Sequence, residues 1–218
     1  NWDTKLETAI SDLEVEQREV QSNVYYIKYQ IIGEENFITI ATTRPETMIG
    51  DMAIAVHPND ERYKNYIGKK ILIPIVKRTI KIIADNHVSI DQGTGALKVT
   101  PAHDFNDFEI GKRHNLEPIN IFEKNGKINR NAPNEYIGLD RFDARKKIIQ
   151  ELKEISLLEK IETINNFVPY GDRSNSIIEP LLTEQWFVNA KYLSKDAIKV
   201  VKNKSTNFFP ENWSKTYF

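Results

Sequence analysis

The chain has 218 residues, of which 40% are hydrophobic and 28% are charged, a composition typical of globular domains rather than of disordered chains. Lysine and arginine number 30 against 31 aspartates and glutamates, for a net charge of −1, whereas a dedicated DNA-binding protein is strongly basic. The absence of cysteine excludes disulfides and thiol nucleophiles. No apolar run approaches the roughly 20 residues that span a bilayer, and Asn1 opens a charged start without a signal-peptide core. We therefore expect a cytoplasmic, monomeric piece of a longer polypeptide, with no membrane or DNA partner.

The first half of the chain predicts short strands. VYYIKYQII (24–32) and FITIAT (37–42) are β-branched and aromatic, and the polar loop between them predicts a β-hairpin. Further strands are predicted at MAIAVHP (52–58), twice within ILIPIVKRTIKIIAD (71–85), and at ALKVT (96–100). NDERYKNYIG between them predicts a helical turn.

The second half predicts helices between further strands. Asp104 precedes a helix over 104–114 that ends in basic residues, and Asp140 caps a longer helix over 141–160. A hairpin is predicted within 119–128, a strand at LLTEQWFVNA (181–190) and a helix near 192–203. The pattern predicts an α+β fold, a β-barrel with peripheral helices.

The stretch TTRPETMIGD (42–51) is the first candidate for chemistry. Thr42, Thr43 and Thr47 bring several hydroxyls to one loop, each both donor and acceptor, and Pro45 extends the backbone at Arg44. Such a loop suits a ribose, an amino-acid carbonyl or a phosphate. The alternative is an ordinary strand end followed by a proline-initiated helical turn.

The stretch TGALKVTPAHDFND (94–107) is the second candidate. Lys98 and Thr100 alternate along a strand and so share a face, while His103 and Asp107 lie four apart at a helix start. Three interpretations stay open: a capped helix end, a metal site, or a pocket for a cationic group such as an α-ammonium. The metal site lacks a third ligand at a suitable spacing.

A third stretch, VPYGDRSNSIIEPLLTEQWFV (168–188), carries a Gly-Asp turn followed by Arg173. It predicts either a nucleotide-facing loop or a turn with a surface arginine. The GTG at 93–95 is only a turn, since the chain has no glycine-rich phosphate loop. These residues alone indicate a polar pocket between two strand ends and name no reaction.

Together these stretches resemble the valyl-tRNA synthetase family, specifically its inserted editing domain. FITIATTRPETMIGDMAIAVHPNDERY is similar to the family's threonine-rich region and GTGALKVTPAHDFNDFEIGKRHNL to its second signature region. IEPLLTEQWFV and FFPENWSKTYF resemble the segments that return to the aminoacylation core. The segments PETMIGD and AVHPNDERY resemble the valyl type more than the related leucyl and isoleucyl types. The core signatures HIGH and KMSKS are absent, so this chain is not expected to activate an amino acid.

The resemblance implies hydrolysis of threonine wrongly attached to tRNA(Val), by water attack on the aminoacyl ester. It implies a catalytic set and a substrate-binding set of side chains. The catalytic set comprises Asp107, as the anchor of the α-ammonium, with Lys98, Thr100 and Asp104; the substrate-binding set comprises Thr42, Thr43, Arg44, Thr47 and His103. No metal or cofactor is expected for editing, because ATP and magnesium would serve only the absent aminoacylation core.

The resemblance also implies a domain organisation and partners. Residues 1–22 form an N-terminal connecting segment, 23–180 the editing domain, and 181–218 a C-terminal segment returning to the aminoacylation core. The expected partners are the 3′ acceptor end of tRNA(Val) and the rest of the synthetase polypeptide. The alternatives are a leucyl- or isoleucyl-type editing domain and a non-catalytic module that binds the tRNA acceptor end.

Overall fold

The chain is described from a computed structural model that covers residues 1–218 and divides into two compact units, residues 1–182 and 183–218. The larger unit holds every strand, and the smaller one holds helices alone. None of the helices combines the length and apolar character needed to span a bilayer.

Nine strands form two sheets. Strands β1 (Trp2–Asp3) and β2 (Thr8–Ala9) make a short antiparallel pair. The large sheet contains β3 (Val15–Ile31), β4 (Phe37–Thr42), β5 (Ala53–Val56), β6 (Lys70–Leu72), β7 (Thr79–Ala84), β8 (Ala96–Val99) and β9 (Leu158–Gly171). The α-helices are α1 (Phe105–Arg113), α2 (Arg141–Glu154), α3 (Ala190–Lys202) and α4 (Ser214–Tyr217).

The large sheet is mixed and curled. Its strand order is β4-β3-β6-β7-β5-β8, with β9 also paired to β3, and only β5 and β7 run parallel. Ala41 of β4 and Lys98 of β8 line one cavity, so the two end strands approach each other without joining in a ladder. The predicted α+β class with peripheral helices is confirmed, but the barrel is open rather than closed.

The hairpin predicted at 24–42 is confirmed by the pairing of β3 with β4, in which Tyr25 faces Thr42. Alternate residues of β3 are buried from Tyr25 to Ile31, because one face of the strand covers the core and the other does not. The earlier part of β3 pairs with β9 from Val15 onward. The domain boundary predicted after residue 22 therefore falls inside a continuous strand.

Both helices predicted over 104–114 and 141–160 are present, but the second is shorter than predicted at its C-terminus. Asp104 caps α1 through its side chain, and Asp140 does the same for α2 by accepting from the Phe142 N–H at 2.8 Å. Helix α2 ends at Glu154 rather than near residue 160, because Ser156 adopts a φ of +58° and the chain turns directly into β9.

The remaining predicted strands and hairpins are partly corrected and partly confirmed. The strand predicted over 181–190 is absent, since this stretch has no regular structure before α3 begins at Ala190. The hairpin predicted within 119–128 is reduced to one bridge between Phe122 and Ile128. The strand of β9 was not anticipated. The strands at 53–56, 70–72, 79–84 and 96–99 and the helix near 192–203 are confirmed.

Candidate functional site

A cavity of about 400 Å³ lies where β4 and β8 end and α1 begins, and it is called the first pocket below. Every side chain assigned to the site from the sequence lines it. These are Thr42, Thr43, Arg44, Thr47, Lys98, Thr100, His103, Asp104 and Asp107. The two candidate stretches, separated by about fifty positions in the sequence, thus form the walls of a single pocket.

The threonine-rich loop is held by its own hydroxyls. Thr42 Oγ1 accepts from the Arg44 N–H at 3.0 Å, and Thr47 Oγ1 donates to the Arg44 carbonyl at 2.9 Å. The loop then enters a 3₁₀ turn over Pro45–Gly50. A Cβ at Gly50 would lie 3.0 Å from the Ile119 carbonyl oxygen and 3.2 Å from Thr100 Cγ2. Glycine therefore allows the turn to approach β8 closely enough to close the pocket.

The first turn of α1 supplies two carboxylates with different tasks. Asp104 is exposed, and its Oδ1 accepts from the backbone N–H groups of Asn106 at 2.8 Å and Asp107 at 3.1 Å. Asp107 is buried, and its Oδ2 accepts from the Thr100 N–H at 2.8 Å. The N-cap interpretation therefore holds for Asp104, whereas Asp107 joins the helix to the end of β8.

Lys98 is the centre of a buried polar network. Its Nζ donates to Thr47 Oγ1 and to Thr100 Oγ1, both at 2.6 Å, and contacts Asp51 Oδ1 at 3.4 Å. Lys98 and Thr100 thus share a face of the strand as their alternation predicted. Because the ammonium has three hydrogens, all of its donors are directed to protein oxygens, the contact with Asp51 being the longest.

Asp51 is a site residue that the sequence did not reveal. It is fully buried behind the pocket wall, where Thr100 Oγ1 donates to its Oδ1 at 2.6 Å and Tyr29 Oη donates to its Oδ2 at 2.8 Å. The available signal was a lone carboxylate directly after the apolar turn and before the buried strand β5. Asp51, Lys98 and Asp107 are called the site cluster below.

The electrostatics of the site cluster are unbalanced, because two buried carboxylates share one ammonium. Burial, together with the smaller effects of the Asp104 and Asp51 charges, raises the pKa of Asp107 to about 7, although Lys98 and the hydrogen bond from the Thr100 N–H act to lower it. Burial likewise raises the pKa of Asp51 despite the presence of Lys98. A further cation placed near Asp107 would stabilise its ionised form.

His103 is buried and electrically neutral. Its Nε2 accepts from the Ile121 N–H at 3.0 Å, so the ring proton resides on Nδ1. Burial, with the nearby charges of Arg44 and Lys98, lowers the pKa of His103 to about 3. Because the lone pair of Nε2 already accepts this hydrogen bond, His103 connects the pocket to the segment at Ile121 and is not available to accept a proton.

Arg44 connects the pocket to a second buried group of charges. Its guanidinium donates to the His103 carbonyl at 3.2 Å, to Glu46 at 3.4 Å and to Glu179. Arg145 binds both carboxylate oxygens of Glu46 at 2.7 Å, and Arg141 lies 3.3 Å from Glu179. These residues, Arg44, Glu46, Arg141, Arg145 and Glu179, are called the arginine cluster below.

Loops without assigned roles complete the pocket. His87, Ser89, Gln92 and Thr94 also line the first pocket, and no sequence pattern marks them. No three His, Asp or Glu side chains come together in a geometry that suits a metal ion. Arg173 is exposed and pairs with Glu14 at 2.5 Å outside the pocket, in accordance with a surface turn.

Comparison with known proteins connects this geometry to a family. The sequence profile described as tRNA synthetases class I (I, L, M and V) matches residues 1–218. The whole chain is 66% identical to a valine–tRNA ligase of Pelagibacter ubique (strain HTCC1062), 54% to that of Coxiella burnetii and 52% to that of Francisella tularensis. The chain spans about a quarter of the length of these relatives, 25%, 24% and 24% respectively.

Two solved structures share the fold at low sequence identity. One is a ternary complex of a leucyl-tRNA synthetase from Agrobacterium radiobacter K84 with tRNA and LeuAMS, matched with a TM-score of 0.52 and 17% identity over 68% of this chain and 20% of the other. The second, GlLeuRS-CP1, matches with a TM-score of 0.52 and 13% identity over 63% of this chain and 96% of the other. The sequence matches, rather than these structures, confirm the resemblance to valyl-tRNA synthetases, and the chain belongs to the class I tRNA synthetases.

Proposed function

We propose that the first pocket hydrolyses the ester of threonine wrongly attached to tRNA(Val), as the editing domain of a valyl-tRNA synthetase. The observation that carries the proposal is the site cluster, in which two buried carboxylates share one ammonium beside several hydroxyls. An aminoacyl ester brings the α-ammonium that this imbalance favours. Asp107 is the anchor for that ammonium, because its Oδ2 already holds the Thr100 N–H and the carboxylate lines the pocket.

The side chain of threonine is selected through its hydroxyl. Lys98, Thr47 and Thr100 present polar groups on the pocket wall, and the threonine hydroxyl would replace the long 3.4 Å contact of Lys98 with Asp51. Valine has nearly the same shape but offers a methyl group there, which leaves buried polar groups without partners and binds less well. The apolar synthesis site of valyl-tRNA synthetases is known to discriminate only weakly between valine and threonine. A second site that prefers threonine would remove the resulting errors.

The reaction is attack by water on the ester carbonyl carbon. The water oxygen bonds to that carbon, the bond to the ribose oxygen breaks, and the ribose oxygen receives a proton. Threonine and free tRNA result. His103 is not the base, since its Nε2 accepts a backbone hydrogen bond; the side chains act by positioning and polar stabilisation, with the adenosine hydroxyl assisting the water.

The terminal adenosine lies against the threonine-rich loop in this proposal. Thr42, Thr43 and Arg44 of that loop line the first pocket, and Asp104 keeps the first turn of α1 in place. The partners are the 3′ acceptor end of tRNA(Val) and the rest of the synthetase polypeptide. No metal or cofactor takes part in this proposed reaction, and the predicted division into residues 1–22, 23–180 and 181–218 remains a prediction.

The test compares deacylation of Thr-tRNA(Val) and Val-tRNA(Val) by the 218-residue chain, with uncatalysed hydrolysis subtracted. Faster release of threonine than of valine is expected, and equal rates without acceleration would leave a non-catalytic tRNA-binding module. Preferential release from mischarged tRNA(Leu) or tRNA(Ile) would instead identify one of the related editing types. Addition of EDTA, with zinc restored afterwards, tests the metal-free mechanism, which predicts no loss of activity.

A further inference from the structure

Arg78 is a half-buried cation that the proposed reaction does not use. It lies in the connection between β6 and β7 and does not line the first pocket. Its Nη2 reaches the Pro45–Gly50 turn from behind, where it donates to the Ile49 carbonyl at 2.9 Å and to the Asp51 carbonyl at 2.6 Å. One guanidinium nitrogen therefore joins the end of the turn to the residue that follows it.

The backbone around Asp51 is held from three sides. The Asp51 N–H donates to the Met48 carbonyl within the turn at 3.1 Å, and the next N–H, that of Met52, donates to the Val99 carbonyl of β8 at 2.8 Å. Arg78 binds the carbonyl between these two groups. Because an aspartate side chain has only two torsions, a fixed backbone at Asp51 largely fixes the position of its carboxylate.

The carboxylate of Asp51 passes this constraint to the pocket wall. Its Oδ1 accepts from Thr100 Oγ1 at 2.6 Å and lies 3.4 Å from Lys98 Nζ, which itself donates to Thr47 Oγ1. Thr47, Lys98 and Thr100 line the first pocket, whereas Asp51 lies behind them. A shift of the Asp51 backbone would therefore displace a hydrogen-bond partner of Thr100 and Lys98.

The connection that carries Arg78 has an unusual backbone. Ile75 adopts a φ of +65° and Lys77 a φ of +56°, and a positive φ is a genuine outlier for a β-branched residue. The Ile73 N–H donates to the Arg78 carbonyl at 2.9 Å, and the Lys77 N–H donates to the Ile73 carbonyl at 3.1 Å. Such strain persists only where the surroundings enforce it, and here it accompanies the delivery of one side chain to the turn.

The position of Arg78 is also unfavourable for its charge. Burial lowers the pKa of Arg78, and the charge of Asp51 opposes this effect. Its Nε is buried without a hydrogen-bond partner, which costs free energy that an exposed arginine would avoid. The contacts with the Ile49 and Asp51 carbonyls are the interactions that offset these costs.

We propose that Arg78 is a positioning residue, which holds the Ile49 and Asp51 carbonyls and thereby keeps Thr100 and Lys98 in the arrangement that selects the threonine hydroxyl. Arg78 contacts no substrate and takes no part in bond making. The inference rests on the proposed function for the use of that arrangement, whereas the link from Arg78 to Lys98 is a property of the free protein.

The first test compares Arg78→Met, which keeps the apolar stem without donors, with Arg78→Lys, which keeps the charge and a donor. In the 218-residue chain, Arg78→Met should lower kcat/KM for Thr-tRNA(Val) about tenfold, since one hydrogen bond contributes about 2- to 13-fold. The ratio of threonine to valine release should fall by about threefold, within the same range. Arg78→Lys should recover most of both losses. Lys77→Met is the matched control, because Lys77 is exposed in the same connection, and it should leave both quantities unchanged.

The second test needs no hydrolysis. Exchange of the Lys98 ammonium protons with water is measured by NMR on the nitrogen-15-labelled chain, with the backbone amides of β3 as the reference for global unfolding. Arg78→Met should accelerate the ammonium exchange by about threefold, in the range expected for one weakened hydrogen bond, without a matching change in β3. Lys77→Met should not alter it. Should Arg78→Met fail to fold, Arg78→Lys provides the same comparison with a smaller shift.

The two tests separate this inference from the proposed function. Absence of deacylation in the wild type overturns the proposed function, while selectively faster exchange at Lys98 in Arg78→Met still supports the link. Normal activity, selectivity and ammonium exchange in Arg78→Met would overturn only the inference about Arg78. Equal losses of threonine and valine release, with faster exchange throughout β3, would make Arg78 a contributor to stability alone and would overturn it as well.

Discussion

Two buried groups of charges flank the Pro45–Gly50 turn, and they are built on opposite plans. In the arginine cluster, burial opposes the charge of Glu46, but the paired hydrogen bonds from Arg145 and the charge of Arg44 outweigh it and lower its pKa. In the site cluster, burial keeps the pKa of Asp51 and Asp107 raised although Lys98 is nearby. In the first group each carboxylate has two guanidinium partners, whereas in the second group two carboxylates share one ammonium.

The difference indicates where stability is provided and where binding takes place. A fully paired buried carboxylate resists removal, because its partners would be left with unbalanced charge. The ionised form of a carboxylate with a raised pKa is poorly stabilised by its surroundings, and an added cation would stabilise it. The arginine cluster therefore holds the threonine-rich loop in place, and the site cluster is where we propose that the ammonium of a ligand binds.

The largest expected effect is on stability, from Glu46→Gln. The amide cannot balance Arg44 and Arg145, so we expect the free energy of unfolding to fall by about 3–5 kcal/mol, measured by urea denaturation. Glu61→Gln is the control, because Glu61 is 80% exposed in its pair with Lys64 and should change stability by less than about 1 kcal/mol. Similar small losses in both variants would contradict the structural role of the arginine cluster.

Asp107→Asn should reduce deacylation of Thr-tRNA(Val) by about 100-fold, because a hydrogen bond to a charged group typically contributes about 1.5–3 kcal/mol. The Asn side chain still accepts from the Thr100 N–H, so folding should be retained. Asp143→Asn is the matched control, since Asp143 is exposed in its pair with Lys146 and does not line the first pocket, and we expect no comparable loss. Full activity of Asp107→Asn would rule out the ammonium anchor.

Asp51→Asn should lower deacylation by about tenfold and reduce stability less than Glu46→Gln does, because the carboxylate of Asp107 remains near Lys98. Asp51 orients Thr100 and Lys98 from behind the pocket, and an amide retains the shape but removes the charge that holds them. A loss of tenfold corresponds to about 1.4 kcal/mol in activation free energy. If stability falls as much as in Glu46→Gln and the ratio of threonine to valine release is unchanged, Asp51 is structural only.

The smallest effect concerns pH. With a pKa of about 7 for Asp107, the ionised fraction rises about fivefold between pH 6 and pH 7, so affinity for a non-hydrolysable threonyl-adenosine amide should rise by a similar factor. Calorimetry at the two pH values measures this, and Asp107→Asn should remove the dependence. A carbon NMR titration should show the pKa of Asp107 falling when the amide binds; an unchanged pKa would count against ion pairing.

The same raised pKa has a consequence for folding. Because the folded-state pKa of Asp107 lies above its ordinary value of 3.8, the protonated carboxyl favours the folded state. This contribution is fully present below about pH 4 and is lost as the pH rises through about 7.

Local sequence patterns predicted much of the structure. The alternation in β3 and β4, the caps at Asp104 and Asp140, and the shared face of Lys98 and Thr100 depend on neighbours within a few residues, and all of them are present. The resemblance to a family placed nine residues in the site, and all line the first pocket. What these features share is that a short stretch of chain is sufficient to specify them.

Features that depend on distant partners were not found from the sequence. Strand β9 is largely exposed and rich in polar residues, so it lacks a burial pattern and forms through its ladder with β3. The predicted strand over 181–190 had suitable residues but no partner strand. Asp51 looked like an ordinary loop carboxylate until the fold placed Thr100 and Tyr29 around it.

The sequence by itself determined most of the strands and the starts of α1 and α2, and its resemblance to a known family selected nine side chains that line one pocket. Only the tertiary structure decided how their charges combine. Burial and pairing are properties of position in three dimensions, and they raise the pKa of Asp107 to about 7 while lowering that of Glu46. The same type of group is thus a proposed ligand anchor on one side of the Pro45–Gly50 turn and a structural link on the other.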